Sequence, residues 1–324
     1  MNYKSVAQLN HDVLNWLSRL PSEIDLFVGV PRSGMLAAML LGLHGHRRVT
    51  DLNGFLDGRR MNFGMSKRSG GIETPKDDRV QTVLIVDDSI CFGAEMAQTR
   101  RALQGIEKRF KLFYGAVYAT PAAKDQVDYY YEEVPLPRLF EWNLMHHPLL
   151  AQACVDIDGV LCRDPTHEEN DDGDNYRRFL AGVPLLRKPS HRIGTLVTCR
   201  LEKYRLETTN WLSARNIQYD RLMMMDVPDM ATRQAMATHG TFKGNVYRSS
   251  DAVVFIESSQ EQASAIAQLS CKPVICLETG TSVTLGVLAQ LRLNLSREKE
   301  NLKLRLKRKA KGLLIATGLR RDSS

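Results

Sequence analysis

Two pairs of carboxylates stand out by their spacing. Asp156 and Asp158 flank one residue in the stretch Cys154-Val155-Asp156-Ile157-Asp158-Gly159-Val160-Leu161-Cys162, close to the midpoint of 324 residues. On a strand their side chains share one side, because side-chain direction alternates with period 2. Like charges held that close repel unless a cation lies between them. A buried strand ending in such a pair points to a divalent-metal site at the carboxyl edge of a parallel sheet, where open α/β sheets take their ligands. A solvated turn built from Asp and Gly accounts for the stretch equally well. The second pair, Asp87 and Asp88, follows the apolar run VQTVLIV and precedes Ser89-Ile90-Cys91-Phe92-Gly93-Ala94-Glu95.

The elements around the second pair alternate. Val6, Leu9, Val13, Leu14, Leu17 and Leu20 recur at helical spacing. Residues 24–30 read as a strand ending in Gly29-Val30-Pro31-Arg32-Ser33-Gly34, and an apolar helix follows over 35–43. Such a turn is a natural anion site, with free backbone N–H groups and the positive end of the helix macrodipole facing outward. A plain strand-to-helix turn is the simpler account of it alone. Residues 53–79 are rich in Gly and charge and too long for a passive connection. They read as a mobile lid offering Arg59, Arg60, Lys67 and Arg68 to an anion, with functionless disorder as the alternative. Residues 80–86 form a buried strand, a helix runs from about 94 to 107, and strands are expected at 112–119 and 127–131.

The segment VLIVDDSICFGAEM resembles the phosphoribosyl-pyrophosphate (PRPP) motif of type I phosphoribosyltransferases. The resemblance implies that Asp87 and Asp88 accept from a ribose diol. Ser89, Ile90, Cys91, Gly93 and Ala94 would belong to the loop that cradles a 5′-phosphate before a helix. It assigns Pro31, Arg32, Ser33 and Gly34 to a pyrophosphate loop, and residues 53–79 to a flexible catalytic loop. Cys91, Phe92 and Glu95 depart from the family pattern, which favours Thr there, and the lost hydroxyls weaken phosphate binding.

The second half also alternates. Strands are expected at 153–158, 192–197, 219–225, 253–256 and 272–277, with helices at 201–215, 230–238 and 260–269. The acids of residues 163–178 lack the ligand order of a calcium loop and read as a solvated cap or insertion. His146 and His147 lack further ligands at metal spacing and fall at the domain junction. The order DIDGVL, Thr198, Lys243, Glu257 resembles the haloacid dehalogenase-like (HAD) superfamily over about residues 150–280. The resemblance implies phosphoryl transfer with Asp156 as nucleophile and Asp158 as general acid and then base. Thr198 and Lys243 would bind phosphoryl oxygens, and Mg²⁺ would be held by Asp156, Asp158 (through its backbone carbonyl) and Glu257. Ser258 stands where a second acid is common.

Composition is that of an ordinary soluble protein, 43% hydrophobic and 25% charged. No apolar run approaches the roughly 18 residues of a membrane helix. No basic-then-apolar leader opens the chain, and the six cysteines lack metal-type spacing, so a cytoplasmic protein with reduced thiols is expected. Residues 296–324 carry ten Lys/Arg against three acids, which equals the whole net charge of +7. Residues 281–311 show helical spacing with an incomplete leucine stripe. That tail suits nucleic acid or an anionic surface, although a solvated helix on the domain or a partner is favoured over it. The expected fold is α/β with two parallel-sheet domains: a phosphoribosyltransferase-like domain over 1–148, a HAD-like domain over 149–280, and a basic helical tail over 281–324. The expected function couples PRPP-dependent phosphoribosyl transfer to phosphate-ester hydrolysis. A phosphatase with a PRPP-sensing first domain and a non-enzymatic binding protein are the alternatives. PRPP or another phosphoribosylated small molecule is the implied partner, with a second copy of the chain as a further candidate.

Overall fold

The structure, a computed structural model, describes residues 1–59, 80–235 and 239–284. The chain divides into two compact units, Met1–His147 and the residues from Pro148 onward. Each is a mixed α/β unit dominated by parallel pairing. Among the described residues no helix is long and apolar enough to cross a membrane.

The first unit runs β1 (Asn2–Lys4), α1 (Val6–Leu17), β2 (Leu26–Gly29), α2 (Gly34–Gly45), β3 (Arg48–Asp51), α3 (Leu52–Leu56), β4 (Thr82–Ile90), α4 (Ala94–Ala102), β5 (Lys111–Ala119), β6 (Tyr129–Glu133) and β7 (Arg138–Phe140). Its main sheet is five-stranded, in the order β3-β2-β4-β5-β6, and every pair is parallel. Strand alternation sorts the core into two faces. Phe27, Leu84 and Val86 pack with Leu9, Val13, Trp16, Ala38 and Leu41 of α1 and α2. Leu26, Val28, Val83 and Ile85 point the other way, toward Phe55, Met96 and Leu103. Continuous apolar strands are what a sheet covered on both faces requires. Ser5 caps α1 by accepting from the Gln8 backbone N–H at 3.1 Å.

The second unit runs β8 (Ala153–Val155), α5 (Asp174–Gly182), β9 (Ile193–Leu201), α6 (Arg205–Ala214), β10 (Tyr219–Met225), α7 (Met230–Ala235), α8 (His239–Ser249), β11 (Val254–Glu257), α9 (Gln260–Ser270), β12 (Val274–Cys276) and β13 (Thr281–Val283). The sheet order is β10-β9-β8-β11-β12-β13, parallel except for β13 against β12. Cys154, Val197, Phe255, Val274 and Cys276 pack with Tyr247, Ala263 and Ile266 of α8 and α9. All six cysteines are free.

Several elements differ from the sequence expectation. β4 continues through Asp87, Asp88 and Ser89 to Ile90, because the whole run is paired with β5. The helix expected to about residue 107 stops at Ala102, and Gly105 then takes a left-handed φ of 91° that a helix cannot contain. β1 and β7 pair with each other in register, a contact no local pattern announces. Lys243, beyond the helix expected at 230–238, lies within α8. Part of the expected solvated cap is the amphipathic helix α5, which buries Tyr176, Phe179 and Leu180. Thr281–Val283 is a strand, not the start of a helix, and pairs with β12. The rest of the basic tail, and Arg60, Lys67 and Arg68 of the expected lid, lie outside the described residues.

Candidate functional site

In the first unit the chain leaves β2 toward β3 and leaves β4 toward β5, on opposite sides. The crevice between β2 and β4, at their carboxyl ends, is therefore a topological switch point. Pro31, Arg32 and Ser33 follow β2, and Gly34 opens α2. A Cβ on Gly34 would stand 2.6 Å from the Val86 carbonyl oxygen and 3.0 Å from Asp87 Oδ1. The missing side chain is what lets this turn lie against the acidic end of β4. Arg32 is exposed beside it. Burial pushes Asp87 well above the usual carboxylate range, and the like charge of Asp88 adds to it. The Asp87 carboxylate accepts from the Asp88 backbone N–H at 2.8 Å.

Asp88 is differently placed. It is 5% exposed, and its Oδ2 accepts from the Trp142 indole N–H at 2.8 Å. Trp142 stacks on Phe140 at 4.9 Å between ring centroids, and Phe140 stacks on Tyr118 at 5.5 Å. Tyr118 donates to the buried Asp12, which also pairs with Lys4. Ser89 is half-buried, whereas the Ile90 side chain belongs to the core, leaving only its backbone for a ligand. The loop proper is Cys91, Phe92 and Gly93. Thr120 ties it down by donating to the Cys91 carbonyl at 2.6 Å. Gly93 has φ +81°, and Ala94 begins α4.

The second unit repeats the arrangement. Its switch point lies between β8 and β11. β8 ends at Val155, so Asp156 and Asp158 leave the strand and do not share a side by alternation. Each carboxylate instead has its own fixed cation. Lys243 Nζ donates to Asp156 Oδ2 at 2.5 Å, Glu257 Oε2 at 2.8 Å and Gln262 Oε1 at 2.8 Å. The fully buried Arg200 donates from Nε and Nη2 to Asp158, the closest contact at 2.6 Å. Burial pushes Asp156 upward, Lys243 opposes it, and Glu257 and Asp158 reinforce the rise. Burial works against the Lys243 charge, but Asp156 and Glu257 outweigh it and hold the ammonium protonated. Burial likewise disfavours ionised Asp158, and Arg200 outweighs it, leaving the carboxyl below its usual range. Gly159, at φ +77°, is needed because a Cβ would meet Ser258 Oγ at 2.1 Å. Thr198 is buried within β9, and its hydroxyl accepts from the Arg200 backbone N–H at 3.2 Å. Arg200 Nη1, Arg233 Nε and His239 Nε2 are among the buried side-chain atoms with no hydrogen-bond partner among the described residues.

No family model matches the chain, and no curated protein matches it. Solved structures do resemble it. The xanthine-guanine-hypoxanthine phosphoribosyltransferase of Helicobacter pylori is 21% identical, with a TM-score of 0.34, over 44% of this chain and 92% of that one. A purine phosphoribosyltransferase from Pyrococcus horikoshii is 19% identical, with a TM-score of 0.32 and the same coverage. A hypoxanthine-guanine phosphoribosyltransferase from Bacillus anthracis is 12% identical, with a TM-score of 0.27, over 40% of this chain and 81% of that one.

The residues singled out from the sequence fall into two groups. Pro31, Arg32, Ser33, Gly34, Asp87 and Asp88 meet at one switch point, with the loop Cys91–Gly93 following β4. Asp156, Lys243 and Glu257 are joined directly by hydrogen bonds at the other, which do not include Thr198. Among the described residues no three His, Cys, Asp or Glu side chains form a group that could hold a metal ion. Asp156 and Glu257 nevertheless converge on a single atom, Lys243 Nζ, and the Asp158 carbonyl lies 3.5 Å from Ser258 Oγ. Two carboxylates and a carbonyl are hard oxygen donors of the kind Mg²⁺ accepts while keeping several waters. The Asp158 carboxylate is not in that set, being held by Arg200. Trp142, Arg200 and Gln262 were not legible as site residues. The first lies in a stretch whose apolar content suggests only a junction, and the other two pair with residues distant in sequence.

Proposed function

We propose that the chain carries two phosphate-handling centres. The first binds PRPP and transfers its phosphoribosyl group, in nucleotide metabolism. The second, HAD-like, hydrolyses a phosphate ester through an aspartyl-phosphate on Asp156. The observation that carries this reading is that each unit gathers its acids at the carboxyl edge of its own parallel sheet, at the switch point. In the first centre, Asp87 and Asp88 face the ribose diol, the turn 31–34 takes the pyrophosphate, and the start of α4 takes the 5′-phosphate. In the second, Asp156 attacks phosphorus in line while Lys243 orients its carboxylate. Mg²⁺ held by Asp156, Glu257 and the Asp158 carbonyl supplies charge against the phosphoryl oxygens when bound. Lys243 and Thr198 are the protein groups for those oxygens in this scheme. Asp158 stands where proton transfer is needed. Arg200 keeps it in the ionised form that can accept a proton but lowers its basicity, so proton transfer in either direction requires Arg200 to loosen its hold.

A second reading, in which the first unit only senses PRPP, is favoured by Asp88, one of whose oxygens, Oδ2, is already taken by Trp142. PRPP binding by calorimetry and pyrophosphate release separate the two: binding without release selects the sensor. For the second centre, the test is a screen of phosphorylated metabolites with Mg²⁺ beside Asp156→Asn. Turnover lost by at least a hundredfold in the variant is expected, since no other group replaces the nucleophile. Failure of every substrate with the wild type overturns the phosphatase reading.

A further inference from the structure

Arg138 is a buried cation with almost nothing to hold. It lies on β7 and is 7% exposed. Its Nη1 is buried with no hydrogen-bond partner among the described residues. Arginine stays charged when buried, so an unanswered guanidinium is costly. Its surroundings answer it only in part. The Phe140 ring lies 5.2 Å away. The Cys91 thiol is within its reach but is only a weak acceptor. Asp88 and Asp87 lie close enough to support its charge, yet Asp88 Oδ2 is bonded to Trp142 and Asp87 accepts from the Asp88 N–H.

Cys91 also opens the loop into α4, and no side chain caps that helix. The first amides of a nine-residue helix are thus open to an anion. The loop brings little else. Cys91 is a weak donor, Phe92 has no side-chain donor and is exposed, and Glu95 in the first turn adds negative charge. A loop this poor in donors needs a cation from elsewhere in the fold. Strand β7 carries such a cation: Arg138 lies over Phe140, which stacks on the Trp142 that donates to Asp88 just before the loop.

We propose that Arg138, with the amides at the start of α4, binds the phosphate monoester of the ligand and sets the preference of this site for a dianionic group. The proposal rests on the reading of the first unit as a phosphoribosyl binder. It adds a residue from outside the acidic motif and its loop.

The test is titration calorimetry of the full chain with ribose 5-phosphate at several salt concentrations, for wild type, Arg138→Gln and Arg138→Lys. Losing a charged hydrogen-bond donor predicts about 10- to 100-fold weaker binding for Arg138→Gln. Its salt dependence should be flatter, as one phosphate contact is gone. Arg138→Lys, which keeps the charge and should keep the fold, is expected to regain part of the affinity and the full salt slope. A purely structural role would weaken binding without changing the slope, and that result overturns the proposal. So does wild-type affinity in both variants. If the wild type itself binds neither ribose 5-phosphate nor PRPP, the reading of the first unit falls too, which separates the two failures.

Discussion

Lys243 shows how much of the second site rests on one side chain. A buried ammonium satisfies two buried carboxylates and a carboxamide at once. Replacing it by methionine leaves Asp156 and Glu257 buried without their cation. Breaking a buried ion pair from one side costs about 3–5 kcal/mol. Urea unfolding of Lys243→Met is therefore expected to show a loss of that order for the transition of the second unit, and an unchanged midpoint would refute the account. Asp156 and Glu257 were readable from their positions after apolar runs. Arg200 was not, because its partner Asp158 is 42 residues away and only the pairing of β8 with β9 brings them together. Trp142 was hidden for the same reason: its hydrogen bond to Asp88 spans 54 residues.

At the scale of elements, glycines set how closely loops approach the sites. Gly93 is the plainest case, since α4 begins from its left-handed conformation. An L-residue there carries about 1–2 kcal/mol of backbone strain. A Cβ would also lie 1.6 Å from the Gln126 side-chain oxygen, the far end of a side chain that can swing away. Gly93→Ala should thus lower stability by about 1–2 kcal/mol in thermal or urea unfolding, with Gln126→Ala relieving only the steric part. Full recovery in the double variant would show that the contact, not φ, is what selects glycine. Strand ends were the least legible feature here. VLIVDD contains an obvious strand, but its continuation to Ile90 depends on hydrogen bonds from β5, which a local pattern does not contain.

At the scale of the molecule, each unit has its own sheet and its own core clusters. Residues 1–147 and 148–324 made as separate chains are expected to unfold cooperatively, each with dispersed amide resonances. A piece that is unfolded alone would show that its core is incomplete. Apolar runs and helical spacing by themselves determined the α/β class, the alternation of elements and the carboxylates at strand ends, because those signals are periodic and local. Tertiary structure decided what the carboxylates face. The Asp156–Asp158 pair suggested a cation shared between the two. The fold provides Lys243 for one and Arg200 for the other, because the chain turns after Val155 and parallel pairing brings separate elements to each side. Similarly, the strand that carries Arg138 is paired with the first residues of the chain, through contacts between residues more than 130 positions apart.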